Sequence, residues 1–488
     1  MAVRHRPMIK SSIARNNKII ISTISNILII IWGIYVSCNI LFLLLFITWI
    51  NMMLYCIYKL GQRVLLFAFG ISFFVFLLGR DGLEQLFLYE SETKFPDNIN
   101  NHAYISMICA LFGVWGAFSF SIKPYSKTNT PHNLTLKKQV FNNYIKKYSK
   151  LCFFITYPFA IILNIAIAIF VIKFGYHSFY TDLSGIIAQS PILYVISKIE
   201  LMMPASFAIF MSSLPSKSEF KKLSKPYVIY LIITLGCGQR STFLLGLLLF
   251  FIFVVYMQEI RPNEKWFSSK TLKTIIISLP LIAIGGTFYN SLRFGKETSD
   301  ISIYDGFCRF FYDQGVTSNI VKRAYEYEYK IPIQETAYTL EFLHSGLPAR
   351  ILGIEVYQGN NLDHAYKGGS FTHSLGYAIM GDAYLAGGGT GSSYIAELYY
   401  DFGYLGVFLG SCIYGLIFSS ITNFKKVGIF GRSLAFIIVT QLLWAPRASF
   451  SAFLSFIFAP STIGLLILIF GGAYISTKKS INNQSIYE

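Results

Sequence analysis

PYVIYLIITLGCGQRSTFLLGLLLFFIFVVYM, residues 226–257, is two apolar runs parted by a small polar tip. A helix needs about 20 apolar residues to cross a bilayer at about 1.5 Å rise each. The run after Ser241 meets that length. The run before Gly236 has only about ten such residues, so it must borrow the preceding turn, or the tip must sit below the membrane surface. Either way Arg240 is placed at a break between two helices. A charge near the membrane interior costs roughly 2.5 kcal/mol or more unless it faces a cavity or a partner. Gly236 and Gly238 permit the break, and the N-terminal amides of the next helix favour an anion.

The rest of the chain has the same character. Of 488 residues, 54% are hydrophobic and only 13% charged, half the charged share of an ordinary soluble protein. The fold class is therefore an all-α polytopic membrane protein. Twelve spans are expected, near 19–37, 40–58, 64–79, 103–122, 151–172, 193–213, two within 226–257, then 274–290, 403–422, 430–445 and 452–475. The basic stretch up to Lys18 precedes an apolar run without a small-residue cleavage site, so the first span is expected to stay. The net charge of +17 is placed for orientation rather than for nucleic acid. The segments assigned to the cytoplasm, with Arg432 at the mouth of the span near 430–445, hold 27 of the 41 Lys and Arg but 4 of the 24 acidic residues, the positive-inside pattern. Residues 123–150, with seven lysines and no acid, anchor that assignment. Both termini are then cytoplasmic.

Three parts follow: residues 1–290 with nine spans, a large outer loop at 291–402 with short helices of its own, and residues 403–488 with three spans and a cytoplasmic tail. A loop of that length with internal structure usually carries function. It holds 13 of the 33 tyrosines and no tryptophan, and tyrosine offers a sugar ring an apolar face and a hydroxyl. The loop ends in GGGTGSSYIAELYYDFG, 387–403. No Gly-Lys-Ser/Thr follows, so this is not a phosphate-binding P-loop. It reads as a lead into a helix, with Ser392 or Ser393 as cap.

In that helix Glu397 and Asp401 are four apart and share a face. One could take a proton from an acceptor hydroxyl, Glu397 ahead of Asp401. Equally, both could only seat the loop. Tyr394, Tyr399, Tyr400, Asp382 and His373 are candidates to hold sugar; His344 and His364 are further candidates, although lone loop histidines are usually solvated. Three arginines fall on the face that otherwise avoids positive charge: Arg240, Arg293 in SLRFG, and Arg447 in the turn WAPRAS. A planar guanidinium donates two hydrogen bonds to a phosphate at once, so together they suit a diphosphate, although each alone could be an interfacial anchor. Lys198 and Glu200, near the outer end of their span, could be a solvated helix start or a substrate-facing pair. The seven cysteines are scattered without a CxxC or Cys/His cluster, so no metal site or disulfide framework is expected. The sequence has no DxD, HExxH or GxSxG and no ATPase motif. A transferase here would use a lipid-linked donor and need no metal or other cofactor.

GQRSTFLLG (238–246), SLRFG (291–295), GGGTGSSYIAELYYDFGYLG (387–406) and WAPRASFSAF (444–453) together resemble the Wzy-type O-antigen (oligosaccharide repeat unit) polymerases of bacterial inner membranes. The first half of the chain matches in span pattern only. The resemblance implies a C-type glycosyltransferase-like fold. It implies transfer of the growing glycan from undecaprenyl diphosphate to the terminal sugar of a new lipid-linked repeat unit, on the periplasmic face. In that scheme Arg240, Arg293 and Arg447 bind diphosphate and stabilise the departing charge, with Arg240 counted as catalytic. A chain-length regulator and a flippase in the same membrane are implied as partners. An O-antigen ligase shares the architecture and donor but uses another acceptor. A lipid-linked oligosaccharide flippase is the rival of another class, although transporters often show repeated halves and short loops, which this chain lacks. A purely structural membrane partner would not need three outer arginines.

Overall fold

The computed structural model describes residues 6–122, 136–174, 186–187, 190–266, 303–422 and 427–484. Among them every regular element is helical. A helix bonds its own backbone groups, which hydrocarbon cannot do for it. The first part comprises α1 (Arg6–Tyr35), α2 (Ile40–Ile57), α3 (Leu60–Leu86), α4 (Asp97–Ser121), α5 (Leu136–Phe174), α6 (Pro191–Ser212), α7 (Lys217–Gly236) and α8 (Arg240–Ile260). The loop holds α9 (Ile303–Gln314), α10 (Thr317–Glu326), α11 (Phe371–Met380) and several shorter helical turns. The last part comprises α12 (Tyr394–Thr422), α13 (Ile429–Trp444), α14 (Ala452–Ile457) and α15 (Pro460–Asn483).

Nine helices among the described residues are long and apolar enough to cross a membrane. The apolar part of α1, Ile19–Tyr35, is shorter than these. The first turns of α7 are rich in lysine. The span expected at 274–290 lies outside the described residues.

The closest helix pairing follows from small residues at every fourth position. Gly113, Ala117 and Ser121 on α4 face Ser411, Gly415 and Ser419 on α12. A Cβ at Gly113 would collide with the Phe408 carbonyl, and one at Gly415 with that of Val114. The Ser121 hydroxyl donates to Ser419 at 2.6 Å. Lipid gives apolar helices no hydrophobic reason to associate, so backbone approach through small residues and interhelical hydrogen bonds do that work.

The third span extends beyond its expected end. α3 continues to Leu86, so Arg80, Asp81 and Glu84 lie in its last turns rather than in a solvated loop. A π-helical turn at Phe74–Leu78 interrupts it; such bulges often accompany functional positions. The last span starts later than expected. Pro460 has no backbone N–H to continue a helix, so α14 stands apart and α15 begins at Pro460. The segment 448–458 thereby joins the loop: the Phe342 N–H donates to the Ser451 hydroxyl at 3.2 Å, and the Phe342 and Phe458 rings stack. α12 begins at Tyr394 and turns at Gly403, whose φ of +62° suits glycine.

The two ends of the bundle are distinguished by contacts. At one end Gly61 of α3 lies against Glu259 of α8. At the other, Arg80 of α3 lies against Gly315 of the loop. Arg240, at the opposite end of α8 from Glu259, is therefore at the loop-bearing end.

Candidate functional site

The turn after α13 is held from three directions. Ala445–Arg447 forms a single 3-10 turn, and the chain then runs extended at Ala448. The Phe450 N–H donates to Glu397 Oε2 at 2.7 Å, and the Phe450 carbonyl accepts from the Tyr414 hydroxyl at 2.7 Å. Ser451 takes the N–H of Phe342. Arg447, at the head of this turn, reaches Gln314 of α9 at 3.3 Å. Its guanidinium carbon lies 5.7 Å from the Trp444 ring centre and 5.9 Å from that of Phe76, in the π turn of α3. Guanidinium over an aromatic face is attractive. Three parts of the fold thus meet at Arg447.

Glu397 is completely enclosed, at 0% exposure. Its second oxygen accepts the Ser392 hydroxyl at 2.6 Å. Ser392 therefore donates to the carboxylate, while the Ser393 hydroxyl is buried without a partner among the described residues; the expected side-chain cap is not the bond Ser392 makes. Asp401 accepts the N–H groups of Tyr338 and Thr339 at 3.2 and 2.8 Å, sealing the start of the 3-10 helix Tyr338–His344. Both carboxylates engage protein groups that seat the loop. Backbone amides and a hydroxyl take up their oxygens, because each lies where a loop strand crosses α12. Hydrogen bonds to a charged acceptor contribute about 1.5–3 kcal/mol each.

Arg240 opens α8 directly after the break. Gly238 has φ +80°, and its N–H closes a turn on the Leu235 carbonyl at 2.9 Å. Cys237 donates to the Asn164 carbonyl at 3.0 Å, which ties the break to α5. Arg293 lies outside the described residues. Lys198 and Glu200 do not form a pair. Glu200 accepts from Tyr230 at 2.8 Å and from Asn164 at 3.2 Å, whereas Lys198 lies over the Tyr194 ring.

The proposed sugar contacts divide. Tyr394 is 0% exposed and lies against Ser411 and Tyr414 of the same helix. Tyr400 packs on Tyr338 and Phe371 and donates to the Ile331 carbonyl at 3.1 Å. Tyr399 is only partly buried, in a cluster with His102, Tyr325 and Tyr404. Asp382 is exposed at the start of a short helix. His373 does not stand alone in solvent: it stacks on His364 at 3.5 Å and bonds the Tyr384 hydroxyl at 2.8 Å. Burial, and next the neighbouring His364, push its pKa down to about 4. His344 bonds Thr336 at 2.8 Å, and burial lowers its pKa too.

Sequence reading missed one group at this end. Asp81 and Lys322 form a buried ion pair at 2.6 Å, with side-chain exposures of 0% and 2%. Beside it Arg80 bonds Glu84 at 3.2 Å and lies over the Tyr312 ring, also bonding its hydroxyl. These contacts fasten α9 and α10 to the end of α3, and so place Gln314 beside Arg447. The acids directly after an apolar run could have signalled a helix continuing past its span. Nothing local marks Lys322, since its partner is 241 residues away.

The family model for the O-antigen polysaccharide polymerase Wzy matches residues 18–480, nearly the whole chain. The chain belongs to the O-antigen polymerase Wzy family. No curated protein and no solved structure matches it. Membership makes the chain a polysaccharide-forming glycosyltransferase of the membrane at the level of the family. The matched range includes the helix of Glu397 and the turn 447–451. Among the described residues no group of three His, Cys, Asp or Glu side chains converges as a metal site would.

Proposed function

We propose that this chain moves a growing glycan from undecaprenyl diphosphate onto the terminal sugar of an incoming lipid-linked repeat unit. The reaction takes place at the loop-bearing end, on the periplasmic face of a bacterial inner membrane. The observation that carries the reading is the turn at 447–451. A guanidinium is presented from a turn fixed by Glu397, Tyr414 and Ser451, at the meeting point of α3, the loop and α13.

In this reading Arg447 and Arg240 bind the diphosphate, with Arg293 assigned to the same role from its place in the sequence. They stabilise the charge that develops on the diphosphate as the glycosidic bond to it breaks. Fixed donors suit this role because they need not reorganise during the reaction. The amides of the first turn of α8 add to Arg240. Tyr399 and Asp382 are the sugar contacts best placed at a surface. The acceptor hydroxyl attacks the anomeric carbon and loses its proton as the diphosphate leaves. Glu397 acts as a positioning residue through the turn that it holds, because a general base must come within hydrogen-bond reach of the proton it takes. A flippase supplying repeat units and a chain-length regulator are the partners this scheme calls for.

A glycan ladder tests the reaction. Deleting the gene should leave a single-repeat product, and restoring it should restore the ladder. Core lacking any repeat, with lipid-linked polymer accumulating, would instead mean a ligase; single units trapped inside the cell would mean a flippase.

The role of Glu397 has its own test. Glu397→Gln keeps an oxygen acceptor for one of its two bonds. In purified protein given lipid-linked repeat units, its rate should fall less than tenfold, with an unchanged pH profile. A fall of about 10² or more with a lost acidic limb, the scale of general base removal, would restore the carboxylate as the base.

A further inference from the structure

We propose that the cleft between α5 and α15, at the end of the bundle opposite the loop, binds the phosphate headgroup of an anionic membrane lipid. The cleft encloses about 550 Å³. Lys137 and Lys138 enter it from α5 and Lys478 from α15, and among the described residues no carboxylate lines it. Phe141 and Tyr474 supply apolar wall.

Its level in the membrane follows from the sequence of α15. The apolar stretch IGLLILIFGGAYI ends at Ile475 and STKKS follows. The cleft, lined from Tyr474 to Asn482 on that helix, therefore straddles the change from apolar to polar surface. Tyr474 is 61% exposed, as tyrosines at a membrane interface commonly are. The two helices are joined beside the cleft. The Tyr148 and Ser476 hydroxyls meet at 2.6 Å, and Phe141 packs on Phe470.

Orientation alone requires lysines on this side of the membrane. It does not require lysines from two distant parts of the chain to converge on one concave cleft with an aromatic wall. Basic pockets between membrane helices on the cytoplasmic side are suited to phosphate headgroups. Lysine serves as a point charge here, without the fixed fork of arginine, so the site selects for negative charge more than for shape. The proposal depends on the orientation only for which leaflet supplies the lipid, and it does not depend on the polymerase reading.

Native mass spectrometry of the delipidated full-length protein tests it, with phosphatidylglycerol, phosphatidylethanolamine and soluble glycerol phosphate as probes. Phosphatidylglycerol should be retained, the zwitterionic lipid at least tenfold more weakly, and glycerol phosphate hardly at all. Changing Lys137, Lys138 and Lys478 together to Gln should weaken phosphatidylglycerol retention about tenfold or more, and changing them to Arg should preserve it. The single exposed change Lys478→Gln, with little risk to folding, should give a smaller loss in the same direction. Undiminished retention in the Gln variants would overturn the site. Equal binding of the zwitterionic lipid would overturn its charge selection, and equal binding of glycerol phosphate would overturn the lipid as ligand. A reporter fused at position 135 reads the orientation separately, and a periplasmic signal there would move the ligand to the other leaflet. The glycan ladder is unaffected by any of these outcomes.

Discussion

Arg447→Ala should reduce polymer about 10²-fold or more while the protein accumulates to near its normal level. That is the scale on which removing one fixed donor to a developing negative charge slows a reaction. The fall should appear in kcat more than in KM, because the donor matters most when the diphosphate takes up charge. Arg447→Lys should lie between the two. It keeps the charge but loses the planar fork, and so it cannot hold Gln314 and a phosphate oxygen in one geometry. Stability should change little, since the side chain is only partly buried and cation–π contacts contribute about 0.5–2 kcal/mol. Single-turnover assays with purified protein and lipid-linked repeat units measure the rate, and thermal melting measures the stability. A full-length ladder from the alanine variant would remove Arg447 from the diphosphate site.

Lys322→Met should give the largest loss of stability of any single change considered for this protein. It would leave Asp81, at 0% exposure, as a buried charge with no counterion. Breaking such a pair from one side costs about 3–5 kcal/mol, against a total of about 5–15 kcal/mol for an ordinary domain. The double change Lys322→Met with Asp81→Leu should recover most of the loss, because the cost lies in the stranded charge rather than in the missing attraction. Lys367→Ala is the control. Its pair with Asp363 has side-chain exposures of 64% and 61%, and an exposed pair contributes about 0–1 kcal/mol. Melting in detergent should rank the variants in that order. Activity should follow stability for Lys322→Met, since α10 and α9 lose their seat on α3 and Gln314 leaves Arg447. Wild-type melting of Lys322→Met would show that the pair does not fasten the loop.

Much of the fold was legible because membrane helices are written locally. Apolar runs of about 20 residues, lysines at one set of ends and the break at Gly236–Gly238 marked the helices α2, α4, α6 and α8. The sequence pattern misjudged α3 and α15, where the helix boundary depends on something other than hydropathy. Arg80 and Asp81 can stay helical and buried because loop helices cover them, and Pro460 stops a helix within an apolar run.

The placement of the candidate residues on their elements was legible, but not the partners that they take. Glu397 and Asp401 do share a helix, and Arg447 does stand in a tight turn. Their spacing could not reveal that one carboxylate takes the amide of Phe450 and the other those of Tyr338 and Thr339, since those partners come from distant parts of the chain.

The amino-acid sequence by itself determined that this protein is an all-helical membrane protein, and that Arg240 and Arg447 fall at helix ends. Those properties depend on transfer of each segment from water to hydrocarbon, a sum over neighbours in the chain. Only the tertiary structure decided which polar groups hold the loop. That division depends on pairings such as Asp81 with Lys322 and Glu397 with Phe450, and a buried charge or amide takes whichever partner the packing brings within about 3 Å.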